Sequence, residues 1–561
     1  MTATNQNLIQ IICENNNVSL FVKEGTTLAE LLDMLGLQSN EPYLAAYVDN
    51  KMQELYYRIF TAKSVRFVSI SNIEGMRTYT RSLFFLLQKA VFDLYPDSKM
   101  RMMHSIGHGG YYCELIPTQK LQKNEVEKIK ERMQQLVNQD LPIVRQDMPL
   151  QEAEQLYVQH GFEDKLAMMR TRPRFFVPVY NMAGLPGNFY GALVPSTGYL
   201  KAFDLLPFGD GMVILMPDPS NPAITAEMRL QPKLFDVFKL NKEWMDILQI
   251  PNVSTLNEKV IAGQSSELIK IGEALQEKNF AHIADMILEK HNTEGVKIVL
   301  IAGPSSSGKT TFSKRLAVQL RVLGLIPHMI SLDNYFVNRD KTPRDEQGNY
   351  DFEALEALDI EEFNKDLLRL FAGEKIELAK YSFHTGERYY DGDFLQIEER
   401  GVLIVEGIHA LNPALTPEID ELLKYKIYVS ALTTLSIDNM TMIHTTDNRL
   451  LRRMVRDNEY RNRSAYETLA GWASVRRGED KHIFPFQEQA DVMFNTALFF
   501  EFPILKHYAL PLLVTVPATA PEYAEALRLM NFLDCFAEIS DHELPPTSIL
   551  REFIGQSSFI Y

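Results

Sequence analysis

Cysteine is scarce: three residues in 561, Cys13, Cys113 and Cys535, spread over the whole length. No CxxC pair occurs, so neither a disulfide framework nor a thiolate zinc site is readable. Long apolar runs are missing too. The most apolar late stretch, residues 498–516, is broken by Glu501, Lys506 and His507, which excludes a spanning helix there. The first ten residues, MTATNQNLIQ, lack the charged-then-apolar pattern of a signal peptide. The expectation is a soluble, cytoplasmic protein without membrane contact. Positive charge is in short supply: 57 Lys and Arg against 73 Asp and Glu give a net charge of −16. That balance argues against a general polyanion binder and leaves room for a locally basic site. The apolar share of 46% is ordinary for a globular protein, and the length suggests about two to four domains. No internal repeat or low-complexity tract is visible.

The front of the chain reads as short strands around one helix. Leu8–Cys13 and Val18–Val22 are apolar runs separated by three asparagines, and Thr26–Leu35 carries leucines at helical spacing behind a threonine cap. Strands at Ala45–Val48, Glu54–Arg58 and Val65–Ser69 complete the unit. It resembles a TGS module, the ubiquitin-like β-grasp domain at the front of threonyl-tRNA synthetases. The following stretch, with Arg81-Ser82-Leu83-Phe84-Phe85-Leu86-Leu87 and Gly109-Gly110-Tyr111-Tyr112, is similar to the second domain of those synthetases. That family's helix carries an HxxxH pair, and here the two slots hold Arg81 and Phe85. Guanidinium and phenyl cannot share a metal as two imidazoles do, so the resemblance implies an editing shell without its deacylase chemistry. His104 and His108 are also four apart, but they flank Ile106-Gly107 and read as loop histidines. Residues 221–292 are mostly helical in pattern, a connector packing on a neighbour.

Val296–Ala302 is a continuous apolar run, as in a strand buried on both faces. Directly after it, Gly303-Pro304-Ser305-Ser306-Ser307-Gly308-Lys309-Thr310 matches GxxxxGK[ST], and Thr311–Leu323 continues as a helix. At ordinary residue frequencies about 0.02 such matches arise by chance in this length. The glycines let backbone N–H groups converge on phosphate oxygens at a helix N-terminus. Lys309 is placed to reach β- and γ-phosphates and the Thr310 hydroxyl to hold Mg²⁺. ATP and Mg²⁺ are therefore the expected cofactors, with Gly303 to Thr311 as the ATP-binding segment.

Two acids and a set of arginines narrow the chemistry. Asp333 ends the next strand, where an open α/β sheet faces its ligand, and a carboxylate there can take a proton from an attacking hydroxyl. Glu406 ends the buried strand Gly401–Glu406, at the Walker B position beside a metal. From Arg449 to Arg477 the chain has eight arginines and no lysine. That bias favours planar, multidentate phosphate contact over an ordinary solvated face.

GPSSSGKTTFSKRL, SLDNYF, NYDFEALEALD, VLIVEG and DNRLLRRMVRDNEYRNRS together resemble the uridine kinase and phosphoribulokinase family over about residues 293–515. The resemblance implies Asp333 as catalytic base, Asp351 as a ribose contact, and Arg452, Arg453, Arg461 and Arg463 as lid or phosphate residues. Family members frame the pyrimidine with Y-D-F-x-x-H-x-R. Tyr381, Phe383 and Arg388 hold matching offsets, whereas Ser382 and Gly386 replace the Asp and His. Base-edge hydrogen bonding is thereby altered, and Tyr381 and Phe383 read equally as core aromatics.

The expected whole is a multidomain α/β protein. It comprises a TGS β-grasp module (1–72), a synthetase-like α+β domain (73–220), a helical connector (221–292), and a P-loop domain (293–561). The last would have a doubly wound parallel sheet, an arginine-rich lid and a helical tail. Its expected activity is γ-phosphoryl transfer from ATP to a primary hydroxyl of a nucleoside-like small molecule. The alternatives are a sugar phosphate or other small alcohol as acceptor, and an RNA- or tRNA-binding regulator with the P-loop as switch. Self-association is open. Residues 517–561 show one helix, Pro521–Phe536, and no chemistry.

Overall fold

The computed structural model describes residues 8–107, 109–117, 120–172, 174–344, 348, 350–382 and 384–561. His108 and Phe383 lie outside the described residues.

Residues 8–69 form a five-stranded mixed sheet. Its first and last strands, Leu8–Cys13 and Lys63–Ser69, run parallel at the centre, and one helix, Leu28–Leu35, packs against it. Thr27 and Glu30 close a capping box on that helix, and Gly36 ends it in the left-handed region at φ 55°. The fourth strand is Lys51–Glu54 rather than the expected Glu54–Arg58. Asp49 and Asn50 both have positive φ, so they make a two-residue hairpin turn that pairs Val48 with Lys51. Pairing thus starts immediately after the turn. Residues 73–215 follow as a long helix, Ile73–Leu94, packed with a four-stranded and a three-stranded antiparallel sheet. Phe85, in the second expected imidazole slot, is core, its ring 5.1 Å from that of Phe189. His104 is core as well, stacked at 4.0 Å on Phe238. Burial pushes its imidazole down to about 4, which suits a neutral packing role.

The back half is organised by a parallel sheet of β1 (Ile298–Ala302), β2 (Ile326–Ser331), β3 (Gly401–Glu406), β4 (Lys424–Ser430) and β5 (Val492–Asn495). Their order is β2-β3-β1-β4-β5. Every residue of β1 is buried, as its unbroken apolar run requires at the sheet centre. Helix α1 (Ser265–Thr293), in the stretch expected as a connector, buries Phe280, Ile283 and Ile287 in the same core as the sheet. The Phe280 ring lies 5.1 Å from Phe312 and 4.7 Å from Phe494. Helix α2 (Lys309–Val322) leaves the phosphate-loop motif. Helices α3 (Thr445–Arg461), α4 (Ala465–His482), α5 (Glu501–Val514) and α6 (Tyr523–Leu533) complete the half.

Ion pairs fasten front to back. Lys165 meets Asp438 at 3.1 Å with both side chains essentially inaccessible, Arg77 meets Glu525 at 2.6 Å, and Arg172 meets Asp534 at 2.6 Å. Among the described residues, no helix is long and apolar enough to cross a membrane.

Candidate active site

The site starts from a strand that cannot turn without glycine. A Cβ on Gly303 would sit 2.0 Å from the Val429 carbonyl oxygen on the adjacent strand, so only hydrogen fits. Ser306 and Gly308 then take positive φ, 58° and 86°, turning the backbone into the start of α2. The Ser306 and Ser307 hydroxyls are buried without a hydrogen-bond partner among the described residues. Lys309 folds back and donates to the Gly303 and Pro304 carbonyls at 2.8 and 3.2 Å. Polar groups left over in a tight turn, with a cation laid across it, are what an incoming anion would satisfy.

Carboxylates surround Lys309. Burial pulls its ammonium below the usual range, while Glu406, Glu552, Asp333 and Glu353 oppose that shift. Burial in turn raises Glu406 to about 7, with Lys309 pulling it down and Asp333 and Glu552 pushing it up. Glu353 also stands at about 7, from burial and then the charge of Glu479. Asp333 opens onto solvent at the end of β2, yet the protein bulk around it lifts its carboxylate, with Lys309 and Arg461 pulling it back. Thr310 Oγ1 lies 3.5 Å from both Glu406 oxygens, and Ser331 Oγ lies 3.5 Å from one of them. This set of hard oxygen donors fits a small divalent cation such as Mg²⁺.

The expected lid arginines divide. Arg453 half-buries against the loop and donates to Ser305 Oγ at 2.6 Å. Arg461 and Arg463 stay accessible, Arg461 3.5 Å from Asp457. Arg452 does something else. It is fully buried, held by Glu501 at 2.5 Å and by the Thr496 carbonyl at 3.0 Å, and Thr496 Oγ1 donates to the Ser307 carbonyl at 2.6 Å. Expected at the phosphates, Arg452 instead braces the loop from behind, because its fork is consumed by a buried acid. Arg449 is similarly buried. It pairs with Glu479 at 2.8 Å and donates to the Ser305 carbonyl at 3.1 Å, and Glu479 accepts the Ser305 N–H at 3.0 Å.

The expected substrate contacts also divide. Asp351 is half-buried and accepts the Glu353 N–H at 3.1 Å, closing its own turn. Tyr381 is buried with its ring 5.6 Å from Phe336. Arg388 donates to Asp359 at 3.0 Å and to the Tyr335 and Phe336 carbonyls at 3.3 Å. Those bonds tie down the segment after Asp333, so Arg388 positions that segment rather than facing a substrate.

Two site residues come from the tail, where the sequence showed no chemistry. Glu552 Oε2 accepts the Thr311 N–H at 3.0 Å and the Thr311 hydroxyl at 2.6 Å, and the Tyr561 hydroxyl lies 2.7 Å from the same oxygen of Thr311. A carboxylate thus sits on the first turn of α2, at the end where helix N–H groups attract anions. Neither residue belongs to a motif, so no sequence signal pointed to them. Glu479 was missed for the same reason, and Glu353, although it lies within NYDFEALEALD, was passed over because only Asp351 of that stretch was given a role.

Residues 298–498 match the phosphoribulokinase / uridine kinase family model. Uridine-cytidine kinase A of Dictyostelium discoideum is 27% identical over 205 residues, which is 36% of this chain and 37% of that protein. A threonine–tRNA ligase of Symbiobacterium thermophilum is 28% identical over 184 residues, 33% of this chain and 28% of the ligase. The chain therefore spans less than a third of the length of that ligase. A solved structure of a possible uridine kinase from Bacillus stearothermophilus is 21% identical, with 36% of this chain and 89% of that one covered and a TM-score of 0.23. Over residues 298–498 the chain carries a phosphoribulokinase/uridine kinase family domain, behind an N-terminal half that matches threonine–tRNA ligases.

Proposed function

We propose that the back half transfers the γ-phosphoryl group of ATP to the hydroxyl of a small alcohol, a nucleoside in the first instance. The observation that carries this reading is Lys309 laid over the Gly303–Thr310 turn, with the open carboxylate of Asp333 in its field. Loop N–H groups and Lys309 bind the terminal phosphates, and Arg453 joins them from α3. Thr310 and Glu406 would hold a Mg²⁺ ion, which would supply neutralisation of the phosphate charge. Asp333 orients the acceptor hydroxyl and takes its proton, a role helped by a carboxylate lifted above its ordinary range.

An aromatic run beside this acid favours a nucleoside over a sugar phosphate. Phe336 neighbours Tyr381 and Phe352, and Phe352 lies 6.0 Å from the exposed ring of Tyr350. Flat faces suit a base. The front half, with its TGS-like sheet and Arg81 in an expected histidine slot, lacks the imidazole pair of an editing site and is read as a scaffold for the kinase. ADP release with a panel of nucleosides and pentose phosphates tests the acceptor. Turnover only with pentose phosphates would move the reading to that class, and no turnover with any acceptor would remove it. Asp333→Asn is expected to lower kcat by about 10²- to 10⁴-fold while the Kd for ATP changes little.

A further inference from the structure

Between the two halves lies a cavity of about 360 Å³, remote from the turn at Gly303 in its lining residues. Its walls carry Arg77, Arg81, Arg145, Arg172, Arg174 and Arg528 against three carboxylates, and no lysine. Behind the lining, Glu525 pairs with Arg77 and Arg528, Asp534 with Arg172 and Arg174, and Asp147 with Arg145, so the surface facing the cavity is basic while its charge is largely balanced from behind. The carboxylates are already engaged. Glu54 accepts from the Tyr180 hydroxyl, Glu74 pairs with Arg77, and Asp447 pairs with Arg528 at 2.7 Å.

The arginines are not all satisfied in return. Arg172 and Arg174 share one carboxylate, Asp534, at 2.6 and 3.1 Å. Arg81 has no ion pair among the described residues. It donates only to the Ala192 carbonyl at 3.2 Å and the Thr78 hydroxyl at 3.3 Å, both neutral acceptors. Burial, with the charges of Arg77 and Arg528, depresses its guanidinium below the usual range although Glu74 and Tyr180 pull it up, and a bound anion would reverse that shift. Phe84, Tyr111 and Phe189 add an apolar wall. Space on this scale, mostly apolar with a few converging polar groups, is the form of a small-molecule site. Planar guanidinium forks without lysine select phosphate or carboxylate oxygens over a diffuse negative field.

We infer that this cavity is a second ligand site, distinct from the ATP site, for a small phosphate-bearing molecule of nucleotide size. The phosphate meets Arg81 and the Arg172–Arg174 pair, and the body of the ligand meets the aromatic wall. The cavity also touches His444 and Asp447 at the start of α3, the helix whose Arg449 and Arg453 hold Ser305. The site thus lies on the structural path between front and back.

Calorimetric titration of the full chain with AMP and with inorganic pyrophosphate tests this, using the wild type and Lys309→Ala, which disables the loop site. Both proteins are expected to bind at least one probe with similar affinity, and Arg81→Gln to weaken it about tenfold or more. Arg174→Gln, at a more exposed position, is expected to weaken binding about threefold or more and serves if Arg81→Gln does not fold. Tighter binding of AMP assigns the aromatic wall to a base, and tighter binding of pyrophosphate assigns the site to an oligophosphate. Loss of all binding in Lys309→Ala, or unchanged affinity in both arginine variants, overturns the inference.

Discussion

Arg452 and Arg453 are adjacent, and the structure gives them opposite jobs, which a paired substitution can expose. Arg452 is fully buried with its guanidinium on Glu501, itself fully buried. Replacing Arg452 with leucine leaves Glu501 as an uncompensated buried charge, with only the Asn448 amide beside it. Breaking one partner of such a pair costs about 3–5 kcal/mol. For a half of this size that corresponds to roughly 6–20 °C in melting temperature, read by differential scanning fluorimetry. Arg453 is half-buried, and its contacts are Ser305 Oγ and Asp457 at 3.3 Å. Arg453→Leu should cost about 1 kcal/mol or less in stability. Its expected effect is on kcat, lowered about 10-fold or more as one phosphate contact is lost. The double variant Arg452→Met/Glu501→Leu removes both charges and should recover most of the melting temperature. If Arg452→Leu melts within about a degree of the wild type, or if Arg453→Leu destabilises as much, the division of labour is wrong.

Other outcomes follow from the same geometry. Glu406 stands at about 7, and only its ionised form ligates a cation, so the Mg²⁺ concentration needed for half-maximal turnover should rise as pH falls through about 7. Glu406→Gln should flatten that profile. Without metal the sign for stability is opposite: the folded state holds the proton more tightly than the unfolded chain. Thermal stability should therefore fall as pH rises from about 4.5 to about 7, as melts across that range will show. Glu552→Gln removes a negative charge from the first turn of α2, and its expected result is about 3- to 10-fold tighter binding of Mg·ATP by calorimetry. Unchanged affinity would mean that the tail carboxylate does not compete with phosphate. Lys165→Met leaves Asp438 buried and unpaired, and should lower the melting temperature with ATP affinity preserved.

The strand, turn and helix around Gly303–Thr310 were legible from sequence because everything that makes them is contiguous. A buried strand, two glycines at fixed spacing and a helix N-terminus are consecutive residues, and their geometry follows from local sterics. The placement of Asp333 and Glu406 at the ends of parallel strands was legible for a related reason, the apolar runs that precede them. The front hairpin was misplaced by a few residues because the positive φ of Asp49 and Asn50, not the apolar pattern, sets where pairing begins.

Tertiary structure alone decided what each arginine does. Arg449, Arg452 and Arg453 share a helix and a charge, and sequence spacing treats them alike. Their partners arrive from elsewhere: Glu479 is 30 residues away, Glu501 is 49, and Ser305 is 148. The same holds for Glu552, which reaches Thr311 across 241 positions. A side chain's chemistry is fixed by its covalent identity. Whether it is free for a ligand depends on which neighbours the fold packs against it, and burial makes that choice costly to reverse.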